Sequence, residues 1–277
     1  MAEEPEITSL YNGSVELRFT RAAHGYEVRG FLGRERPFGA DQWRPWQSVP
    51  SVTQILAVAA KPALIFWAAS CAADYVGENL KPGIALDEVQ ISALVEAARG
   101  AHGRFSRKAK TIGGVAHEAI AQHLRRETVA VPVNEQAKRC FEAAVGWAKK
   151  HGFEPQLVEA RLYSLKYGYA GTMDDSGVGD VDHRLSVVDF KSTKPDKTYN
   201  GFYPEYQFQL AAYVQAFAEG YGLVPGDIDR YIVRLGKDDG EFAVKKLRRA
   251  DFKKDLKGFL GLKAAFERLE QMKPKVS

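Results

Sequence analysis

Cysteine is nearly absent. Cys71 and Cys140 are the only two in 277 residues and no C-x-x-C pair occurs, so neither a disulfide framework nor a zinc site is indicated, and a reduced, cytoplasmic setting is the default. No apolar run approaches the roughly 20 residues of a membrane span. The opening Met1-Ala-Glu-Glu-Pro-Glu6 has neither the basic flank nor the apolar core of a signal peptide, and the expectation is a soluble protein with no membrane partner. No G-x-x-x-x-G-K-[ST] phosphate loop, internal repeat or low-complexity tract is present, so no ATP motor is encoded here. Charge of one sign is also scarce in excess: 39 Lys and Arg against 35 Asp and Glu leave +4, compatible with a polyanionic partner without arguing for one.

What is present is a chain with 45% hydrophobic residues, enough for one large domain with an annex. It is organised around the stretch from Tyr167 to Lys194. In Val187-Val188-Asp189-Phe190-Lys191 the period of two puts Asp189 and Lys191 on one strand face and Val188 and Phe190 on the other. A preceding strand, Ala170 to Asp174, ends in a second acid. Asp175-Ser176-Gly177 and Gly179-Asp180 supply turn chemistry to fold it back, with Asp182 as the competing acid in that turn. Two acids and a lysine then meet at one sheet edge. Carboxylates buried together are costly without a cation, and Mg²⁺ or Mn²⁺, which prefer oxygen ligands, would remove that cost and acidify a bound water.

Before this stretch, Ser14–Phe19 and Tyr26–Arg29, separated by Ala-Ala-His24-Gly25, read as a small hairpin, and Phe38 to Pro50 as an irregular linker. Ser51 or Thr53 caps a helix start. Ala63 to Tyr75 and Asp87 to Ala98, divided by Lys81-Pro82-Gly83, form a helical annex in which Trp67 packs with Leu64 and Ile65 or stacks on a base. A helix over about Ala109 to Arg126 carries His117 on the stripe Ile120, Ala121, Leu124, hence inward. By itself such a histidine is a satisfied core residue. Asn134 to His151 is another amphipathic helix, and Pro155 to Leu165 a strand on which Glu159 shares a face with Arg161, as an ion pair. Beyond the lysine, Tyr203 to Glu219 is a helix with Gln209 and Tyr213 adjacent on one face. Asp229–Arg234 and Glu241–Lys245 make a hairpin about Lys237-Asp238-Asp239-Gly240, and a helix over Ala250 to Met272 closes the chain. Basic residues gather at Arg99, Arg104, Arg107, Lys108 and Lys110, and again over residues 245–257.

Gly114-x-x-His117, Glu159, Gly171-Thr172-Met173-Asp174, Asp189-Phe190-Lys191 and Gln209-Leu-Ala-Ala-Tyr213, in that order, resemble the PD-(D/E)XK nuclease superfamily, in particular its RecB-like exonuclease branch, over roughly residues 105–217. The resemblance implies an α/β (α+β), restriction-endonuclease-like core with a mixed central sheet flanked by helices. That core spans residues 105–277, after an N-terminal hairpin and helical annex over residues 1–104. It implies a metal-dependent DNA exonuclease of recombination, repair or replication, phage members included. His117, Asp174, Asp189 and the main-chain carbonyl of Phe190 would hold one or two Mg²⁺ or Mn²⁺ ions, with Glu159 as a further ligand or a support behind them. Lys191 would be the catalytic cation, and Gln209 and Tyr213 would hold it and the substrate phosphate in register. With only two cysteines the iron–sulfur cluster of some relatives has no ligands. The partner is DNA with a free end or a single strand. An endonuclease of the same fold and a catalytically silent nucleic-acid-binding subunit are the alternatives.

Overall fold

The structure, a computed structural model, describes residues 4–23, 25–30, 44–59, 62–179, 183–193 and 199–274. His24, part of the expected linker, Asp180, Asp182 and Lys194 lie outside those residues. Strands β1 (Glu6–Leu10), β2 (Val15–Thr20), β3 (Gly25–Gly30) and β4 (Gln47–Val49) make an antiparallel sheet in that order. The expected hairpin is its middle, with Leu17 opposite Val28. Alternation buries Val15, Leu17, Phe19, Tyr26 and Val28 on one face, where they pack with Tyr163 and Ala170 of the second sheet.

Helix α1 (Val52–Leu56) starts at Ser51, whose hydroxyl accepts from the Gln54 N–H while the Gln54 side chain accepts from the Ser51 N–H, closing a capping box. The annex consists of α2 (Pro62–Asn79) and α3 (Glu88–Arg99), the latter capped by Asp87. It leads into α4 (Ala101–Leu124), a single helix that runs from the annex to His117. The expected division between residues 104 and 105 falls within α4. The annex is less packed than expected: Leu64, Ile65, Phe66 and Trp67 are all exposed. Four consecutive residues cover the whole circumference of a helix turn, so neighbours on one side of α2 could not have buried them together.

After α5 (Glu135–Lys150), capped by Asn134, come β5 (Glu154–Ser164), β6 (Tyr169–Val178), β7 (Leu185–Lys191), α6 (Pro204–Tyr221), β8 (Asp229–Leu235), β9 (Phe242–Leu247) and α7 (Phe252–Gln271). The five strands form a mixed sheet in chain order, antiparallel except for β7 beside β8, as a crossover through a helix requires. One face is covered by α1, α6 and α7 through Ile55, Leu210, Val214, Phe217 and Phe259. The other is covered by α4 and α5, whose Ile120 and Trp147 pack with Val188 and Phe190 of β7. This is the expected α/β core with its flanking helices.

The turn after the first acid is placed differently. β6 does not stop at Asp174 but runs through Asp175-Ser176-Gly177 and pairs with β7, Asp175 opposite Val188 and Gly177 opposite Ser186. These residue types are turn formers, but here Gly177 answers to crowding, since a Cβ would stand 2.3 Å from the Glu154 carbonyl oxygen. A similar constraint acts at Gly171, where a Cβ would lie 2.6 Å from Cε1 of the Tyr213 ring and 3.3 Å from Val52 Cγ2. That ring is buried at 4% exposure and cannot swing away. Gly171→Ala is therefore expected to lower stability by about 1–3 kcal/mol, the scale of overpacking a filled core. Thermal unfolding should show a smaller loss in a Tyr213→Leu background; equal losses in both would exonerate the ring.

Candidate metal centre

The site is made where the second sheet breaks its alternation. Val158 packs toward α4 and α5, yet Ala160, two residues on, packs toward α6, which a regular strand of period two does not allow. Between them Glu159 has φ of 53°, the left-handed region that non-glycine residues rarely occupy. Across the ladder Val158 faces Asp175 and Ala160 faces Met173, so the register sets Asp174 opposite Glu159, where the alternation breaks. β6 and β7 also part there, and the opened ladder is closed by a side chain: the N–H of Phe190 donates to Asp174 Oδ2 at 2.8 Å.

Helix α4 brings His117 to this point, with Ile120, Ala121 and Leu124 buried on the stripe that the 3.6 period gave. Its Nδ1 lies 3.6 Å from Asp174 Oδ2. One ligand atom from each of His117, Glu159 and Asp174 lies within 4.8 Å of the others. The glycine that lets α4 come close is Gly113 rather than Gly114: a Cβ at Gly113 would stand 3.1 Å from Ser192 Oγ, whereas at Gly114 it would meet nothing within 4 Å. Glu159 is not spoken for by its strand neighbour, since Arg161 Nη1 is 4.0 Å away and the guanidinium binds Glu6 at 2.7 Å and Thr172 Oγ1 at 2.8 Å.

Asp189 is buried at 1% exposure. Lys191 Nζ forms an ion pair with its Oδ2, but neither carboxylate oxygen receives a well-aligned hydrogen bond among the described residues. The structure thus groups His117, Glu159 and Asp174, and sets Asp189 beside them with the lysine. On α6, Gln209 Nε2 donates to the Tyr213 hydroxyl oxygen at 3.0 Å, the internal pair that their four-residue spacing suggested. Tyr206, which the sequence reading passed over, lies under Lys191 with Nζ 5.1 Å from the ring centroid, and its edge meets Tyr203 at 5.6 Å.

Burial dominates the electrostatics. It pushes Glu159 up to about 8, with Asp174 adding to the rise and Arg161 opposing it. Asp189 is pushed up to about 7 by burial, opposed by Lys191 and reinforced by Asp174. Asp175, neither oxygen of which is hydrogen-bonded among the described residues, is pushed up to about 9 by burial and then by Asp174 and Glu159. Crowded carboxylates with raised pKa and one imidazole are the donor chemistry of a hard divalent cation of the Mg²⁺ or Mn²⁺ kind.

A family model for the PD-(D/E)XK nuclease superfamily matches residues 92–275. The chain belongs to that superfamily. No curated protein matches it. Among solved structures it is similar to SSO0001, at 11% identity over 73% of this chain and 87% of that one, with a TM-score of 0.30. It is also similar to an alkaline exonuclease, LHK-Exo, from Laribacter hongkongensis, at 16% identity over 75% of this chain and 96% of that one, with a TM-score of 0.29. A complex of LHK-Exo with dAMP aligns at 15% identity over 57% of this chain and 83% of that one, with a TM-score of 0.25. Among the described residues no helix is long and apolar enough to cross a membrane.

Asp175 is the acid whose burial sequence reasoning missed, because it was read as a turn residue. Folded Asp175 keeps its proton up to about 9, whereas an exposed one releases it near 3.8. The folded state therefore binds more protons across that window, and stability falls as pH rises through it. In chelator, Asp175→Asn is expected to raise the melting temperature at about pH 8.5 and to change it little at about pH 4. An unchanged melting temperature at the higher pH would show that Asp175 carries no unsatisfied charge.

Proposed function

We propose that the protein is a divalent-metal-dependent deoxyribonuclease that hydrolyses phosphodiester bonds from DNA ends. The observation that carries this reading is the convergence of His117, Glu159 and Asp174 within 4.8 Å, beside Asp189 and its lysine on the neighbouring strand. The preference for ends follows from the resemblance of Gly114-x-x-His117 and its companions to the RecB-like exonuclease branch. A role in recombination, repair or replication follows from the same source.

His117, Glu159, Asp174, Asp189 and the Phe190 carbonyl would hold one or two Mg²⁺ or Mn²⁺ ions. Bound there, such an ion supplies positive charge to the scissile phosphate and lowers the pKa of a water. The protein's own residues do the rest. The Phe190 N–H fixes one oxygen of Asp174 and so orients the carboxylate before anything binds. Lys191 carries its charge at the end of the central strand, where negative charge would develop on phosphorus, and it orients the attacking water. Tyr206 and Asp189 limit where the ammonium can go. Burial and the Asp189 charge hold the Tyr213 phenol well above its ordinary pKa, so Tyr213 stays neutral and, fixed by Gln209, backs the lysine strand without adding another anion.

End-labelled linear single- and double-stranded DNA and a closed circle, each incubated with Mg²⁺, Mn²⁺ or chelator, test the whole reading. Degradation of linear DNA with the circle spared is the expected result. Equal cutting of the circle would make the enzyme an endonuclease, and binding without metal-dependent turnover would make it a silent subunit. Lys191→Ala is expected to lower turnover by roughly two or more powers of ten while leaving the fold and Mn²⁺ binding intact. Rates close to those of the parent would remove the lysine from the chemistry.

His117→Ala is expected to reduce the rate more in Mg²⁺ than in Mn²⁺, because the softer ion keeps better affinity for the remaining ligands. If the histidine were only packing, the variant would melt lower and keep the parental ratio of Mg²⁺ to Mn²⁺ rates.

A further inference from the structure

Two arginines are nearly buried on β8, four residues apart and on one face of the strand with Ile232. Arg230, 1% exposed, is fully partnered. Its Nη1 donates to Asp255 Oδ2 at 2.7 Å and its Nη2 to the Arg248 carbonyl at 3.0 Å, and its guanidinium lies over the Phe252 ring at 5.5 Å. Arg234, 7% exposed, is not. Its Nε and Nη1 are buried, and among the described residues they donate to nothing and no carboxylate pairs with the guanidinium.

A guanidinium does not shed its proton, and a buried cation without an acid is expensive. The place where this charge is held is informative. Arg234 lies directly beside Lys191 in the parallel register of β7 and β8, at the C-terminal ends of both strands. The acid on the same face of β7, Asp189, is occupied by Lys191. Little of the guanidinium reaches water, so its charge is weakly screened and acts strongly on an anion that arrives at its open edge.

We propose that Arg234 binds a phosphate group of the nucleic-acid strand, one strand over from Lys191, and so positions the backbone at the candidate metal centre. The nature of the polyanion rests on the nuclease reading; the existence of an anion site does not. A guanidinium is suited to this task because it presents several N–H donors in a fixed plane to the oxygens of one phosphate.

The test compares Arg234→Met and Arg234→Lys with the parent, all in chelator so that no cleavage occurs. Melting temperature is measured with and without inorganic phosphate, and affinity is measured for oligonucleotides bearing a 5′-phosphate, a 3′-phosphate or only hydroxyl ends. Arg234→Met, which removes an unpaired buried charge and keeps the volume, is expected to melt at or above the parental temperature. It should lose the stabilisation by inorganic phosphate and bind DNA about tenfold or more weakly, the scale of losing charge-assisted hydrogen bonds. Arg234→Lys, which keeps the charge but not the planar donors, should fall between the two. A loss equal for all three oligonucleotides identifies a backbone phosphate, and a loss confined to one phosphorylated end identifies a terminal phosphate; either outcome supports the site. Parental DNA affinity together with a parental phosphate shift in Arg234→Met would overturn it, as would a variant that melts well below the parent, since the guanidinium would then have a structural partner. If the parent binds no DNA yet shows a phosphate shift that depends on Arg234, the anion site stands and the nuclease reading fails.

Discussion

Four carboxylates, those of Glu159, Asp174, Asp175 and Asp189, share one end of the second sheet, and the rest of the structure is arranged around the fact that they repel one another and are poorly hydrated. Burial and mutual repulsion push three of them up, to about 8, about 9 and about 7 for Glu159, Asp175 and Asp189. Without added cations the folded protein holds protons there. A cation taken up there would have to displace those protons, so metal binding and deprotonation would be one event. A set of acids that cannot all ionise by themselves favours a multivalent cation over water more strongly than the same acids on a solvated surface would.

Holding such a cluster takes rigid neighbours, and the sheet gets them from close approaches that only small residues permit. Gly171 lets the Tyr213 ring lie flat on β6, and Gly113 lets α4 reach the end of β7 at Ser192. Between those two contacts Asp174 is fixed by the Phe190 N–H. The two faces of the sheet therefore contribute different things. The α4 face brings the imidazole, while the α6 face brings the phenol, the lysine and the buried arginine. Other cations of β8, β9 and the segment after them are paired within the fold: Lys246 and Arg249 both reach Asp229 and Arg230 reaches Asp255.

What could be read from the sequence is what depends on period. The stripe from His117 to Leu124 and the alternation of Val188, Asp189, Phe190 and Lys191 rest on regular geometry, and both faces came out as expected. What could not be read is where the geometry is irregular or the partner is remote. Asp175-Ser176-Gly177 has turn composition, and nothing local reveals that a carbonyl from the adjacent strand occupies the space above Gly177. The break in alternation at Glu159 is invisible to a reading that assumes period two, although it falls where the register of β5 and β6 sets Glu159 opposite Asp174. β1 and β4 were missed because each is short and gains its stability from the strands beside it. Arg234 sits in a run that reads as half of a hairpin, and its isolation shows only once its neighbours have all found other partners.

The N-terminal sheet lies outside the matched residues 92–275, yet it bears on the site through one residue. On β5 the arginine two positions from Glu159 is its natural ion-pair partner, and a carboxylate so neutralised would be a poor cation ligand. In the folded chain Arg161 is drawn the other way. Its Nη2 binds Glu6 of β1 at 2.7 Å, its Nη1 binds Thr172 at 2.8 Å, and its guanidinium lies over the Phe19 ring at 4.3 Å. Tyr26 reaches the same threonine at 2.6 Å, and Tyr11 donates to the Tyr163 carbonyl at 2.7 Å, so the sheet is fastened along the back of β5 and β6. At 4.0 Å from Glu159 the arginine still tempers that carboxylate but no longer claims it. The front of the chain thus leaves Glu159 open toward His117 and Asp174 at the candidate metal centre by holding its competitor.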